Sequence, residues 1–498
     1  MKKSMQSRIP SILITILLTV ALTLFMAILV KTRLLPNKLL LLAGGLFLLF
    51  VLLVFLLTRN AKRTGPMITG CVMAILLVVA LMVGTPYLTK AVSTLDKMTG
   101  VNVEVADMGV YVKADSTLQS LSELSGKNVG IMDVLDRENT DMALENIQGE
   151  VGSMNLMEFP GLGELVDGLL QNETDAIVLN VAYLDLLAEM EGYGEVSAQL
   201  REIHAQKTET IIESAQTEGE DGWNIMDLFG GDDKEEENND RVFTMYISGI
   251  DTRGGMIAKS RSDVNILATV NVDTRQVLLI STPRDFYVPL PISNGRPDKL
   301  THAGIYGVDC SMGTLEMLYG IDVDYYFRVN FSGFKKIIDA LGGVTVYSPK
   351  SFTSVDGLYY FQAGDNVMNG DQALSFARER KAFSDGDRQR GENQMAVIKA
   401  VIDKAMSPAI LSSYADLMES IAGNFETSMP YDVIAELVRD QLDKGGSWNI
   451  VSCSVNGSGD SRATYSSSTP AYVMIPDQST VDAAIAKINQ VKNGEIVQ

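Results

Sequence analysis

The sequence predicts an α/β protein in three parts: a helical membrane anchor, a small α/β domain, and a larger α/β domain with helices on both faces of a central sheet. Three observations carry this reading. The first 90 residues hold three long apolar runs, residues 213–240 form an acidic stretch between two apolar-patterned regions, and each region alternates β-rich runs with helical periodicity.

The anchor follows from length alone. Ile12 to Val30 and Leu39 to Leu57 are each 19 residues without a charge, and Met67 to Tyr87 is a third apolar run of similar length. Each can cross a hydrocarbon layer about 30 Å thick. A cleaved signal peptide would explain the first run and not the other two. Lys2, Lys3, Arg8, Arg59, Lys62 and Arg63 fall on one side of these spans and Lys31, Arg33 and Lys38 on the other, a basic bias of six to three. The N-terminus is therefore expected in the cytoplasm and everything after about Tyr87 outside the cell membrane, in a multi-pass protein.

Composition then limits the partners. The 498 residues carry a net charge of −21 and a pI of about 4.6, which disfavours nucleic acid as a ligand. From Glu213 to Asp240 there are eleven acids against one lysine, too polar to fold alone, so this stretch reads as a linker. The expected division is residues 1–90 for the anchor, 91–212 for an accessory domain, 213–240 for the linker and 241–498 for the main domain. Three cysteines exclude a disulfide-dense scaffold, and no spacing suggests zinc; a Cys310–Cys453 bridge and two buried thiols both fit.

In the accessory region, 105–112, 128–132, 153–159 and 175–180 have strand patterns, and 138–148, 162–170 and 181–191 have helical ones. LDREN (135–139) and LLQNETDAIVLN (169–180) resemble the ligand-binding folds of solute receptors, with no charged cluster or Gly-rich phosphate loop beside them. In the main domain, strands are expected at 241–251, 265–271, 276–285 and 325–330, and helices at 310–318, 331–341, 394–406 and 433–442.

Arginines mark the candidate site. Arg261, Arg284, Arg378, Arg380, Arg388 and Arg390 stand beside acids in the runs SRSD, TPRD, ARER and DGDRQRGENQ. Guanidinium groups offer paired donors that fit phosphate oxygens, so the set suggests a phosphate site, with solvated surface ion pairs as the plain alternative. An extended Phe376 to Arg380 would put Arg378 and Arg380 on one face and Glu379 on the other. His302 invites a general-base reading, although packing near the pocket, where it would shape Lys299, fits KLTHA better.

The order of motifs GIDTRG (249–254), RSDVN (261–265), TPRDFYV (282–288), DKLTHA (298–303), FSGFKKIIDALGGV (331–344), LSFARER (374–380) and GDRQRGENQ (386–394) resembles a LytR-CpsA-Psr (LCP) domain over about 241–490. With three spans and an accessory domain ahead of it, the chain resembles the CpsA-type proteins of bacterial capsule clusters. The resemblance implies an α-β-α sandwich with a mixed central sheet around a polyprenyl tunnel. It also implies transfer of a glycan, capsular polysaccharide here, from an undecaprenyl-pyrophosphate carrier to peptidoglycan. By position it makes Asp251 and Asp263 carboxylates for Mg²⁺, and Arg284, Arg378, Arg380, Arg390 and Gln394 the pyrophosphate ligands. Arg261 and Lys299 are expected beside them, with Asp387 and Asp285 orienting the arginines and Arg388 less fixed.

Asp263, Arg284 and Asp387 are the catalytic candidates, Asp387 and Asp263 being the groups that could take the acceptor's proton. RSDVN departs from the commoner RSDTI, which leaves Val264 and Asn265 unexplained. A polymerase and its regulatory kinase are the protein partners this family suggests. The alternative is a binding or scaffold protein that uses the same site without turnover. A reporter fused after Arg63 should behave as cytoplasmic and one after Lys90 as external; a cytoplasmic signal after Lys90 would remove the extracellular transferase reading.

Overall fold

The computed structural model describes residues 9–59, 64–99, 103–212, 241–250, 259–383, 387–407 and 423–498. Three apolar helices come first: α1 (Ile9–Lys31), α2 (Asn37–Thr58) and α3 (Thr64–Thr99). Leu18, Leu22, Val54, Ala74 and Val78 pack them together, while Leu41, Leu48 and Met82 face outward. Helices apolar all round in this way suit a lipid environment.

The accessory domain is a five-stranded mixed sheet in the order β3-β2-β4-β1-β5, built from β1 (Val103–Lys113), β2 (Asn128–Met132), β3 (Asn155–Phe159), β4 (Ala176–Asn180) and β5 (Leu200–Ile211). Helices α4 (Arg137–Val151), α5 (Leu162–Leu170) and α6 (Ala182–Glu189) cover it. The expected elements fall where the periodicity placed them. Strand β5 was not expected: LREIHAQKTETI is mostly polar, and its pairing with β1 along eleven positions creates the strand.

The main domain centres on a six-stranded mixed sheet. Its strands are β6 (Val242–Ile250), β7 (Ser262–Asn271), β8 (Gln276–Ser281), β9 (Tyr325–Asn330), β10 (Phe425–Thr427) and β11 (Asn449–Ser454), in the order β10-β9-β6-β7-β8-β11. Pairs β9/β6 and β8/β11 are parallel and the others antiparallel. Successive residues point to opposite faces, so Leu278 and Ile280 pack against α7 (Val308–Tyr319) and the C-terminal helix α12 (Gln478–Lys492). Val277 and Leu279 face the other way, towards α10 (Asp387–Ala405) and α11 (Tyr431–Lys444). Helices α8 (Phe331–Ala340) and α9 (Gly370–Arg378) complete that second side. The result is an α-β-α sandwich.

Helix starts are set by side chains that satisfy the first amides. Asn330 accepts from Gly333 at the start of α8, and Asn369 with Gln372 forms a capping box at α9. Gly370 has no room for a side chain, because a Cβ there would lie 2.4 Å from the Lys335 carbonyl oxygen; the glycine lets α8 and α9 approach. One expectation fails here. Phe376 to Arg378 is the last turn of α9, not an extended segment. Of the two readings left open for Cys310 and Cys453, the free thiols hold: Cys310 is buried inside α7 and Cys453 is half-buried on the edge strand β11.

The two domains meet through buried charge. Arg328 on β9 reaches both Glu426 on β10, at 2.6 Å and 2.8 Å, and Glu104 on β1, whose second oxygen accepts the Val308 amide at 3.0 Å. All three side chains are nearly inaccessible. The anchor touches the main domain as well: Tyr431 Oη donates to the Thr32 carbonyl at 2.7 Å, and Lys38 and Arg33 pair with Asp443 and Asp432 at 2.9 Å and 3.6 Å. The α1–α2 turn therefore lies on the same side of the apolar helices as the main domain.

Two carboxylates share one guanidinium, and burial lifts the Glu426 carboxyl from 4.5 to about 7 against the pull of Arg328. The folded chain thus keeps a proton that the unfolded chain loses near pH 4.5, so this group's contribution is complete below that pH and disappears as the pH rises to about 7. Glu426→Gln should flatten this part of the stability curve, worth on the order of 1–3 kcal/mol by linkage. Calorimetric melting of both proteins from pH 4.5 to 7.5 measures it, and parallel curves would contradict the buried proton.

Candidate functional site

Two cavities adjoin on the α10 side of the sheet. One, of about 330 Å³, is lined almost wholly by apolar side chains from β6, β7, β9, α8 and α10, among them Phe243, Ile247, Val264, Phe334 and Ile398. The other, of about 720 Å³, is polar and holds Asp263, Arg284, Asp285, Lys299, Arg380, Arg388, Arg390 and Gln394. Gln394 on α10 lines both and marks their junction.

Local structure explains how Asp263 arrives there. The β6/β7 register shifts between Gly249 and Ile250, which face Val264 and Ser262, so Asp263 is the extra residue of a bulge. Bulges commonly re-aim one side chain beside a site. A Cβ on Gly249 would lie 2.7 Å from Val264, which accounts for that pair, and Val264 lines the apolar cavity. Asn265 is buried, accepting from Tyr246 Oη at 2.7 Å and donating to the Ser262 carbonyl at 3.0 Å. Both residues that the motif left unexplained hold the bulge in shape.

The cations are paired with acids. Arg284 donates to Asp263 Oδ1 at 2.7 Å and lies 3.6 Å from Asp285, and Lys299, nearly buried, is 3.5 Å from Asp285. A residue from the accessory domain joins them: Glu189, the last residue of α6, bonds Arg261, approaches Lys299 at 3.2 Å and Arg284 at 3.5 Å. Burial alone would raise the Glu189 carboxyl, but Lys299, Arg261 and Arg284 outweigh it and bring it down to about 2. Glu189 was missed because nothing within its own helix marks it; its partners lie 72 to 110 residues away.

Because α9 stays helical to Arg378, the two ARER arginines diverge. Arg378 lies over the Phe331 ring, 4.7 Å from its centre, and lines the apolar cavity, whereas Arg380 lines the polar one. Glu379 between them is buried and accepts the Val355, Arg380 and Ala382 amides. Arg388 lines the polar cavity and pairs with Glu392 at 3.4 Å. His302 lines neither cavity; it is fully buried on Asp298 at 2.6 Å and Ser466 at 3.1 Å, and the same Asp298 oxygen accepts the Lys299 amide at 2.7 Å, so it holds the segment that carries Lys299.

Asp251 lies outside the described residues, and of Asp387 only the backbone, at the first position of α10, is described. Among the described residues no group of three or more His, Cys, Asp or Glu could hold a metal. Asp263 is a partly accessible hard oxygen donor, and such a carboxylate suits Mg²⁺ when phosphate oxygens and water complete the shell.

Arg284→Lys keeps the charge and loses the fork that spans Asp263 and Glu189. It should cost about 1 kcal/mol, in the range of charge-assisted hydrogen bonds. A lower melting temperature together with faster amide exchange in α6 would register the change; no change in either would mean the fork does not tie α6 to the main domain.

Comparison with known proteins follows the same lines. The chain is 35% identical over 205 residues to polyisoprenyl-teichoic acid--peptidoglycan teichoic acid transferase TagU of Enterococcus faecalis, covering 41% of this chain and 67% of that protein. To the TagU of Bacillus mycoides it is 33% identical over 253 residues, 50% of this chain and 75% of the relative. Among solved structures, B. subtilis TagV matches with a TM-score of 0.43 and 27% identity, over 52% of this chain and 99% of that one. TagT bound to LI-WTA matches with a TM-score of 0.41 and 28% identity, over 51% and 92%. The family model described as LytR_cpsA_psr matches residues 196–487, more than half of the sequence, and the chain belongs to the LytR_cpsA_psr family.

Proposed function

We propose that this chain is a cell-wall glycopolymer transferase that moves a glycan from a polyprenyl-pyrophosphate carrier to peptidoglycan. One observation carries the reading: a cationic pocket of about 720 Å³ joins an apolar cavity of about 330 Å³ at Gln394. That pairing fits an anionic head group on an isoprenoid tail, and its relatives are named as teichoic acid transferases acting on peptidoglycan. For the finer identity, the three-helix anchor and accessory domain favour a capsular glycan on an undecaprenyl carrier.

In this reading Arg284, Lys299, Arg380 and Arg390 hold the phosphates, and Arg261 flanks them. Arg378, stacked on Phe331, sits where the first isoprene units enter, with Gln394 between tail and head. Asp263 and Asp251 would hold Mg²⁺, which supplies charge neutralisation on the phosphate oxygens. A sugar hydroxyl of the acceptor attacks the phosphorus that bears the glycan, the bond to the polyprenyl phosphate breaks, and the hydroxyl proton leaves to water or a nearby carboxylate. The arginines stabilise the charge that builds on the leaving phosphate, so catalysis is mostly positioning and electrostatics.

The same reading places the N-terminus in the cytoplasm and both α/β domains outside. The charge bias supports it, six basic residues lying on the N-terminal side of the spans against three on the other.

The full chain, given a short polyprenyl-pyrophosphate-linked glycan, peptidoglycan and Mg²⁺, should release polyprenyl phosphate and label the peptidoglycan. Asp263→Ala should lower transfer by about 100-fold or more while the chain still folds, in the range for loss of a charge-stabilising group. Normal turnover by Asp263→Ala would sink the role given to that carboxylate. Tight lipid binding without release by the wild-type chain would leave a non-catalytic binding protein instead.

A further inference from the structure

Helix α6 carries Asp185 and Glu189 four residues apart, on one face, and that face meets the head-group pocket. Glu189 is bonded to Arg261 and lies close to Lys299 and Arg284. Asp185 is 3.8 Å from Arg261 and mostly exposed. The carboxyl end of a helix also carries partial negative charge, which adds to the field that α6 presents to these cations. Arg261, Lys299 and Arg284 therefore already have carboxylates against them, Glu189, Asp263 and Asp285 within 3.6 Å and Asp185 at 3.8 Å.

A pyrophosphate needs the same donors. It cannot reach Arg261, Lys299 and Arg284 together while a carboxylate held down to about 2 is ionised among them, because the two anions would repel at contact distance. We propose that Glu189 is a built-in competitor of the lipid head group: the accessory domain fills the cationic subsite when no lipid is bound, and Glu189 must withdraw for a pyrophosphate to enter. The inference rests on the head-group reading above and adds its regulation. It gives the accessory domain a task, since anything that draws α6 away from the pocket raises affinity for the lipid. It also favours turnover, because the carboxylate competes for the cations with any phosphate left behind after transfer.

The test uses the full chain in detergent, titrated calorimetrically with farnesyl pyrophosphate and, as a probe without a tail, inorganic pyrophosphate. Glu189→Gln removes the charge and nearly preserves the shape. It should bind both probes about fivefold to tenfold tighter than wild type at low salt, the scale of part-buried ion pairs, with the gap shrinking as salt rises. Glu189→Asp, which draws the carboxylate back by one methylene, should tighten binding in the same direction and serves if the glutamine variant folds poorly. Asp185→Asn should change affinity by less than about twofold, as expected for an exposed pair.

Unchanged or weaker binding in the Glu189 variants overturns the competitor; weaker binding would make Glu189 part of the recognition itself. The underlying reading fails differently. Arg284→Gln and Arg261→Gln should each weaken both probes, and if neither does, the pocket is not a head-group site whatever Glu189 contributes.

Discussion

The structure depends on one constraint, a central sheet whose strands are apolar on both faces and must be covered on both. QVLLIS in β8 buries Leu278 and Ile280 on one side and Val277 and Leu279 on the other. The α7/α12 side is filled solid by Tyr246, Met312, Leu315, Val481 and Ile488. The α10/α11 side is not. There the helices stand off the sheet, and the space between them is the apolar cavity of about 330 Å³. Such a void forgoes dispersion contacts that a closed core would make, a cost that a bound isoprenoid would offset.

The polar half of the site follows from where strands end. Residues at the C-terminal end of β8 and the start of β7 bring Arg284 and Asp263 together, and the bulge at Asp263 turns its carboxylate into the pocket. Buried cations need partners, and the chain supplies them from its own acids. Asp263, Asp285 and Glu189 keep Arg284 and Lys299 satisfied and aimed. Buried ion pairs add little net stability, but removing one partner is costly, which makes them better at fixing geometry than at strengthening a fold.

Glu104, Arg328 and Glu426 repeat that arrangement at the seam between domains. Here a single guanidinium serves two carboxylates from strands 322 positions apart in the chain. With Ile305 and Tyr306 of the main domain packed against the accessory core, the seam combines apolar contact with a charge that only one alignment satisfies. The position of Glu189 over the pocket follows from that alignment.

Neighbours along the chain were enough for the three apolar helices, for four strands of each sheet and for the residues Asp263, Arg284, Lys299, Arg380, Arg390 and Gln394 that line the polar cavity, because periodicity, charge and motif order are local properties. Long-range contacts decided that polar β5 and the edge strands β10 and β11 form, that Arg378 and Arg380 part between the apolar and the polar cavity, and that Cys310 and Cys453 stay apart. It alone decided that Glu189 enters a site built by another domain. These depend on contacts between residues far apart in sequence, such as the 110 positions between Glu189 and Lys299, and only the packed chain brings such groups within reach.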